Sequence, residues 1–298
     1  MRRGTYSIVA RDAATGELGV AVQSHWFSVG SVVSWARAGV GAVATQSLVE
    51  PAYGPRALDL MEAGATAGEA LRRLVAEDPH ARVRQVGVVD AAGRVATHTG
   101  DGCIAFAGDA QGEDFTVQAN MMSRPEVWPA MKRAFEEADG PLSRRLLAAL
   151  LAAEAAGGDV RGRQSAALLI VPAEGEPWAR TSDVRVEDHA DPLGELTRLV
   201  DLSQAYTLGS EGDDLMGAGR HDEAADRFTR AAALAPDNDE LLFWSGLAAA
   251  QTGDMATALE RVRRAIAMHG GWRDLLDRLE PDIAPSADAV RRALAGAG

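Results

Sequence analysis

Polar and charged residues recur where the predicted β-strands begin or end. Gly4-Thr5 opens the first strand, and Ser24-His25 closes its partner. Loops on a rigid sheet commonly display binding and catalytic groups, so these strand ends are where we expect a functional site. The candidate residues are Thr5, His25, Thr45, Gln46, Thr99, Gln118, Asn120, Asp159, Arg161 and Gln164.

The sequence lacks the short motifs of several other chemistries. It has no His-Glu-x-x-His zinc motif, one cysteine, Cys103, and six scattered histidines. It also has no Gly-x-Ser-x-Gly nucleophile elbow and neither glycine-rich nucleotide-binding fingerprint. Gly39-Val40-Gly41 is better explained as part of a closely packed strand. We therefore predict no metal and no cofactor.

The elements that must position these residues alternate between strands and helices. Predicted strands are 5–11 and 18–22 in a hairpin, 32–35, 39–46, 84–90, 94–99, 115–118 and 165–171, with another in 185–189. Helices are expected from Pro55 to Gly64, after Thr66, and over 125–137 and 143–155. This order predicts an α+β fold in which helices cover a largely antiparallel sheet.

Beyond residue 200 the pattern changes to an internal repeat of 34 positions. Gly212 recurs as Gly246 and Gly219 as Gly253, while Ala224 and Ala231 recur as Ala258 and Ala265. Small residues at this spacing resemble tetratricopeptide helical hairpins. A third helix over 287–295 would cap the pair. The predicted domains are therefore residues 1–200 and an all-α region, 201–298.

Composition limits the range of partners. The 298 residues carry a net charge of −13 and show no concentrated basic patch, so we expect no nucleic-acid partner. No stretch approaches the roughly 20 apolar residues of a membrane helix, and the start does not read as a signal peptide. With a single cysteine, these features favour a cytoplasmic protein without a membrane partner.

Longer segments of the first 200 residues resemble the bacterial family called domain of unknown function 1028. The matching segments are Thr5–Asp12, Gly16–Val22, Trp35–Gln46, Tyr53–Arg56, His98–Gly100, Gln118–Met122, Asp159–Leu168 and Val184–His189. The resemblance implies an αββα sandwich of the N-terminal-nucleophile hydrolase type. It does not imply a particular substrate.

The superfamily's chemistry makes Thr5 the candidate nucleophile. An amino-terminal threonine supplies the attacking hydroxyl and, through its own α-amine with a pKa near 8, the base that accepts the proton. That amine would become free only if residues 1–4 were removed by cleavage between Gly4 and Thr5. The four-residue leader departs from the family's usual start. The competing interpretation is that Thr5 is an ordinary strand residue.

The other candidates would support this nucleophile. His25, where family members often carry Lys or Arg, is a candidate base or hydrogen-bond donor, and Asp159 a candidate to orient the Thr5 amine. Backbone N–H groups near Thr45 and Gln46 are candidates for an oxyanion hole. Arg161 is expected to bind a substrate carboxylate through two hydrogen bonds. Four further residues are also assigned to substrate binding: Thr99, Gln118, Asn120 and Gln164. The alternatives are a packed strand-end histidine, structural hydrogen bonding by the amides, and a turn salt bridge between Asp159 and Arg161.

Two functions follow as expectations. The first is an amidohydrolase that cleaves an amide bond in a small molecule or peptide, with Thr5 as nucleophile. The alternative is a non-catalytic module that binds a protein partner through the helical repeats of 201–298. Self-association through the same repeats is a separate expectation.

Overall fold

The computed structural model describes residues 4–296, so the first three residues of the predicted four-residue leader lie outside the described part. The chain divides between Leu199 and Val200 into two units, one of mixed α and β structure and one of helices. The predicted order, an α/β domain with antiparallel sheets followed by an all-helical region, is confirmed at this level.

In the part of the first unit that the structure describes, from Gly4 onward, ten strands form two antiparallel sheets. Sheet A has six strands in the order β10-β9-β2-β1-β8-β7, and sheet B has four in the order β3-β4-β5-β6. The strands are β1 (Thr5–Arg11), β2 (Leu18–Ser24), β3 (Ser34–Arg37), β4 (Gly41–Ser47), β5 (Arg84–Asp90), β6 (Val95–Thr99), β7 (Gly108–Gly112), β8 (Phe115–Asn120), β9 (Ser165–Val171) and β10 (Ser182–Val186).

The two sheets face one another, and a helical pair covers each outer side. The helices are α1 (Gly30–Val33), α2 (Tyr53–Glu62), α3 (Ala67–Glu77), α4 (Val127–Glu137) and α5 (Leu142–Ala155), with a 3₁₀ turn at Ala81–Val83. Helices α2 and α3 contact sheet B, whereas α4 and α5 contact sheet A. Apolar side chains such as Val9 and Val20 from sheet A meet Ala42, Ala44 and Val89 from sheet B in the layer between the sheets.

Local sequence explains several of these boundaries. In the β1–β2 turn, the Asp12 carboxylate accepts backbone N–H groups from Ala14 and Thr15, and Gly16 takes a φ of +75°. Thr66 caps α3 through a reciprocal pair of hydrogen bonds with Glu69. Both features depend only on residues within a few positions of one another.

Three elements of the first unit differ from the predictions. Residues 30–33 form the short helix α1, so the strand predicted over 32–35 begins only at Ser34. The sequence pattern did not indicate β7, because its residues, Gly-Asp-Ala-Gln-Gly, show no apolar alternation. The final strand lies at Ser182–Val186 rather than within 185–189.

The second unit consists of helical hairpins. Helix α6 (Pro192–Gly217) begins before the boundary at Val200 and continues beyond it. It is followed by α7 (His221–Leu234), α8 (Asp239–Gln251), α9 (Met255–Met268), α10 (Gly271–Arg278) and α11 (Ala287–Ala295). Gly219 and Gly253, one repeat apart, both take positive φ angles in the turns after α6 and α8. The four alanines of the repeat, Ala224, Ala231, Ala258 and Ala265, are fully buried. Within residues 4–296, no helix combines the length and apolarity needed to cross a membrane.

Candidate functional site

The predicted strand ends converge at one end of the two sheets. Thr5 opens β1 and pairs with Ser24 at the end of β2 and with Asn120 at the end of β8. In sheet B, Gln85 at the start of β5 pairs with Gln46 near the end of β4 and with Thr99 at the end of β6. Antiparallel pairing thus brings together residues that are up to 115 positions apart in the chain.

Thr5 lies at the centre of this cluster and is buried, with 1% of its surface exposed. Its hydroxyl donates to the Ser24 hydroxyl oxygen at 3.0 Å. Its carbonyl oxygen accepts side-chain amide N–H groups from Gln46, at 3.2 Å, and from Asn120, at 3.4 Å. Both the side chain and the backbone of Thr5 are therefore held by polar side chains from neighbouring strands.

The peptide bond preceding Thr5 has an unusual environment. The Gly4 carbonyl oxygen accepts a short hydrogen bond from the Ser24 hydroxyl. It also accepts a hydrogen bond of 2.9 Å from the Arg161 guanidinium. One hydroxyl and one cation thus point at the oxygen of the Gly4–Thr5 peptide, where negative charge would develop if the carbonyl carbon were attacked.

Asp159 and Arg161 form a salt bridge beside this peptide. The Asp159 side chain is fully buried, and its Oδ2 lies 2.7 Å from Arg161 Nη2. The carboxylate also accepts the backbone N–H groups of Arg161, at 2.9 Å, and of His25, at 3.3 Å. The turn salt bridge that the sequence allowed is present, and it lies against the Gly4–Thr5 junction.

A network of buried side-chain amides joins the two sheets beneath Thr5. Gln85 accepts from Gln46 at 2.8 Å and from Asn120 at 3.1 Å. Ser7 donates to Gln46 at 2.6 Å and accepts from Gln118 at 2.7 Å. Because these amides hold one another as well as Thr5, they orient the strand ends rather than line an open surface.

Glycine at position 87 leaves the space that this network needs. A Cβ atom at Gly87 would lie 2.3 Å from Gln118 Oε1. On the far side of the network, the Thr99 hydroxyl accepts from Gln85 at 3.0 Å and donates to Asp109 at 2.5 Å. Thr99 is therefore separated from Thr5 by two members of the network, Gln85 and either Gln46 or Asn120.

The side chains of three predicted site residues point away from the cluster around Thr5. Thr45 neighbours Gln46 on β4, and alternation places its side chain on the opposite face, where its hydroxyl donates to the Glu50 carbonyl. The Gln164 amide donates to Asp188. The His25 side chain is exposed, and this residue's hydrogen bond to the cluster comes from its backbone N–H.

Two important residues were not among the predicted ones. Ser24 contacts both the Thr5 hydroxyl and the Gly4 carbonyl, and Gln85 is the centre of the amide network. Ser24 adjoins His25 at a strand end and could have been included on that ground. Gln85, Gly87 and Val89 lie on the same face of β5, toward the layer between the two sheets. A glutamine on this face is the signal in the sequence that could have identified Gln85.

The residue after Thr5 faces the helical layer. Tyr6 is fully buried and donates from its hydroxyl to the Glu154 carboxylate at 2.8 Å. Burial, reinforced by the negative charge of Glu154, raises the pKa of Tyr6 well above its ordinary value. Tyr6 therefore remains a neutral donor that ties the start of β1 to α5.

Exposed apolar side chains occupy loops at the same end of the sheets. They are Phe27, after β2; Leu48, after β4; Phe106, before β7; and Val160, before β9. Within residues 4–296, no group of three or more His, Cys, Asp or Glu side chains is arranged to hold a metal ion.

Comparison with known proteins defines the family. Residues 5–196 match the "Family of unknown function (DUF1028)", so the chain belongs to that family, which confirms the resemblance seen in the sequence. Residues 210–271 match the tetratricopeptide repeat. No match was found among curated proteins.

A solved structure supports the same assignment. The chain is similar to the crystal structure of a protein from Silicibacter pomeroyi that is assigned to DUF1028. The two are 30% identical with a TM-score of 0.61, and the similarity covers 66% of this chain and 84% of the other.

Proposed function

We propose that the first unit is an amidohydrolase of the N-terminal-nucleophile type, with Thr5 as nucleophile after removal of residues 1–4. Two facing sheets with a helical pair on each outer side are the αββα arrangement that this type of hydrolase uses. The proposal also draws on the position of Thr5 at the first residue of a central strand, where polar groups from both sheets meet.

The observation that carries the proposal is the pair of donors on the Gly4 carbonyl oxygen. Attack by a hydroxyl converts a planar carbonyl into a tetrahedral oxyanion, and preoriented donors lower the energy of that state. Ser24 and Arg161 supply such donors, while the Thr5 hydroxyl lies 3.0 Å from Ser24 Oγ.

In the proposed maturation, Thr5 Oγ1 attacks the Gly4 carbonyl carbon and passes its proton to the departing nitrogen. The C–N bond breaks, and an ester joins Gly4 to the Thr5 side chain. Water hydrolyses this ester, which releases the leader as a carboxylic acid and leaves Thr5 with a free amine. In turnover, that amine accepts the hydroxyl proton, and the buried Asp159 carboxylate orients it.

The exposed apolar residues at this end suit a substrate with an apolar portion. Phe27, Leu48, Phe106 and Val160 would contact an apolar part of the substrate that lies outside the reacting amide. The proposed substrate is an amide of a small molecule or peptide.

The decisive experiment is intact-mass measurement of the protein purified from its native host. We expect a chain that begins at Thr5, and we expect Thr5→Ala to keep residues 1–4 and to lose amide hydrolysis. Thr15→Ala, which alters an exposed turn hydroxyl, is the matched control and should be processed normally. A wild-type chain that retains its leader, with amidase activity unchanged by Thr5→Ala, would contradict the proposal.

A second candidate function is protein interaction through the helical repeats. The tetratricopeptide match over residues 210–271 favours it, because such repeats commonly hold a peptide or a helix of another protein. Self-association is one form of this interaction. Light scattering at micromolar concentration tests it, and a monomeric mass would exclude a second copy of the chain as the partner.

A further inference from the structure

The backbone at Gly4 is enclosed by the Asp159 carboxylate. A Cβ atom added to Gly4 would lie 2.6 Å from Asp159 Oδ2, 2.8 Å from its Cγ and 2.8 Å from Oδ1. Real Cβ atoms essentially never make contacts this short. Position 4 therefore has no room for a side chain of the L configuration at that carbon.

Asp159 cannot easily move aside to admit a larger group. Its side chain is fully buried, and its two oxygens accept hydrogen bonds from the Arg161 backbone N–H and guanidinium and from the His25 backbone N–H. Displacing it would separate a buried carboxylate from its cation, which is costly in a low-dielectric site. The limit on size at position 4 is consequently rigid.

The same space should receive the acyl group of a foreign substrate. Cleavage of the leader and turnover of a substrate amide pass through the same kind of ester, in which an acyl carbon is bonded to Thr5 Oγ1. In the ester formed during leader cleavage the acyl group is that of Gly4. In the ester formed during turnover it is the acyl group of the substrate. Hydrolysis of either ester by water needs the acyl carbonyl oxygen held by the same donors, Ser24 and Arg161.

We propose that Asp159 restricts this site to amides of glycine and of comparably unbranched acyl groups. The inference rests on the proposed function, because it assumes that Thr5 forms the ester. It adds the substrate class: the carbon next to the scissile carbonyl carries no side chain on the Asp159 side. Asp159 is thus a specificity-determining residue in addition to orienting the amine.

The first test is the rate of leader removal in Gly4→Ala, measured by intact mass over time. One misplaced methyl group in a tight pocket commonly changes rates by about 10- to 200-fold, and we expect a slowing in that range. Gly68→Ala is the matched control, because its added Cβ meets only the end of the Arg72 side chain, at 3.3 Å. Circular dichroism and thermal melting verify that both variants fold.

The second test uses the mature wild-type protein and so does not depend on the folding of a variant. The probes are N-acetylglycyl-p-nitroanilide and N-acetyl-L-alanyl-p-nitroanilide, compared by kcat/KM. We expect the glycyl compound to be preferred by at least about tenfold.

The outcomes separate the two proposals. If wild type and Gly4→Ala lose the leader at equal rates, the size restriction by Asp159 is wrong, whereas the role of Thr5 as nucleophile stands. Equal cleavage of the two anilides leads to the same conclusion. A wild-type chain that is never cut at Gly4–Thr5 and never hydrolyses an amide overturns both.

Discussion

The buried amide network makes a quantitative prediction that does not depend on catalysis. Replacing Gln85 by Leu removes the central member while keeping a side chain of similar size. Gln85 accepts from Gln46 and Asn120, and its amide nitrogen lies within hydrogen-bonding distance of Thr99, the Gly108 carbonyl and the Ala119 carbonyl. A side-chain amide has two N–H groups, so only two of these three acceptors can be fully served at once.

The expected loss follows from that count. Four simultaneous hydrogen bonds at about 1 kcal/mol each would contribute about 4 kcal/mol. The added apolar surface of leucine returns about 1 kcal/mol on burial. We therefore expect Gln85→Leu to lower the free energy of unfolding by about 3 kcal/mol.

Urea-induced unfolding, followed by far-UV circular dichroism, measures this loss. With a urea dependence of about 2 kcal/mol per molar, the transition of the α/β unit should move by about 1.5 M to lower urea. The control is Gln111→Leu, an exposed residue of β7 whose amide donates to Thr97, and it should change stability by about 0.5 kcal/mol or less. A loss below about 1 kcal/mol in Gln85→Leu would show that the network does not hold the sheets together.

Two further predictions address the site and the repeats. Ser24→Ala removes one donor from the Gly4 carbonyl, so leader removal, followed by intact mass, should slow by about 10²- to 10³-fold; an unchanged rate would refute the oxyanion role of Ser24. Gly246→Ala places a Cβ 2.8 Å from Val262 Cγ2 and should destabilise the helical unit by about 1–3 kcal/mol in urea unfolding. Gly270→Ala, where an added Cβ meets nothing within 4 Å, is its control, and equal stability of the two would contradict this account of the repeat glycines.

The helical repeats were predictable because each signal in them is local. A glycine at the turn permits a left-handed backbone, and small residues at helix contacts permit close approach, so residue type and spacing sufficed to locate the hairpins. Helix α10 had no counterpart in the repeat and was not predicted. The α2 and α3 helices were located by the same kind of local cue, including the Thr66 cap.

The candidate site was only partly predictable. Residue types at strand ends indicated Thr5, Gln46, Gln118, Asn120 and Asp159, and the fold brings these near one another. Sequence position could not tell Thr45 from Gln46, which are adjacent on β4 with opposite side-chain directions. Which face of a strand meets the second sheet depends on the packing of the whole layer.

The amino-acid sequence alone determined the family, the repeat and the kinds of chemical group present, because composition, local turn signals and motif spacing are properties of short segments. The tertiary structure decided that Arg161, 157 positions away, donates to the Gly4 carbonyl, and that Asp159 closes the space beside Gly4. Such contacts depend on the register of several strands at once, and no short segment carries that information.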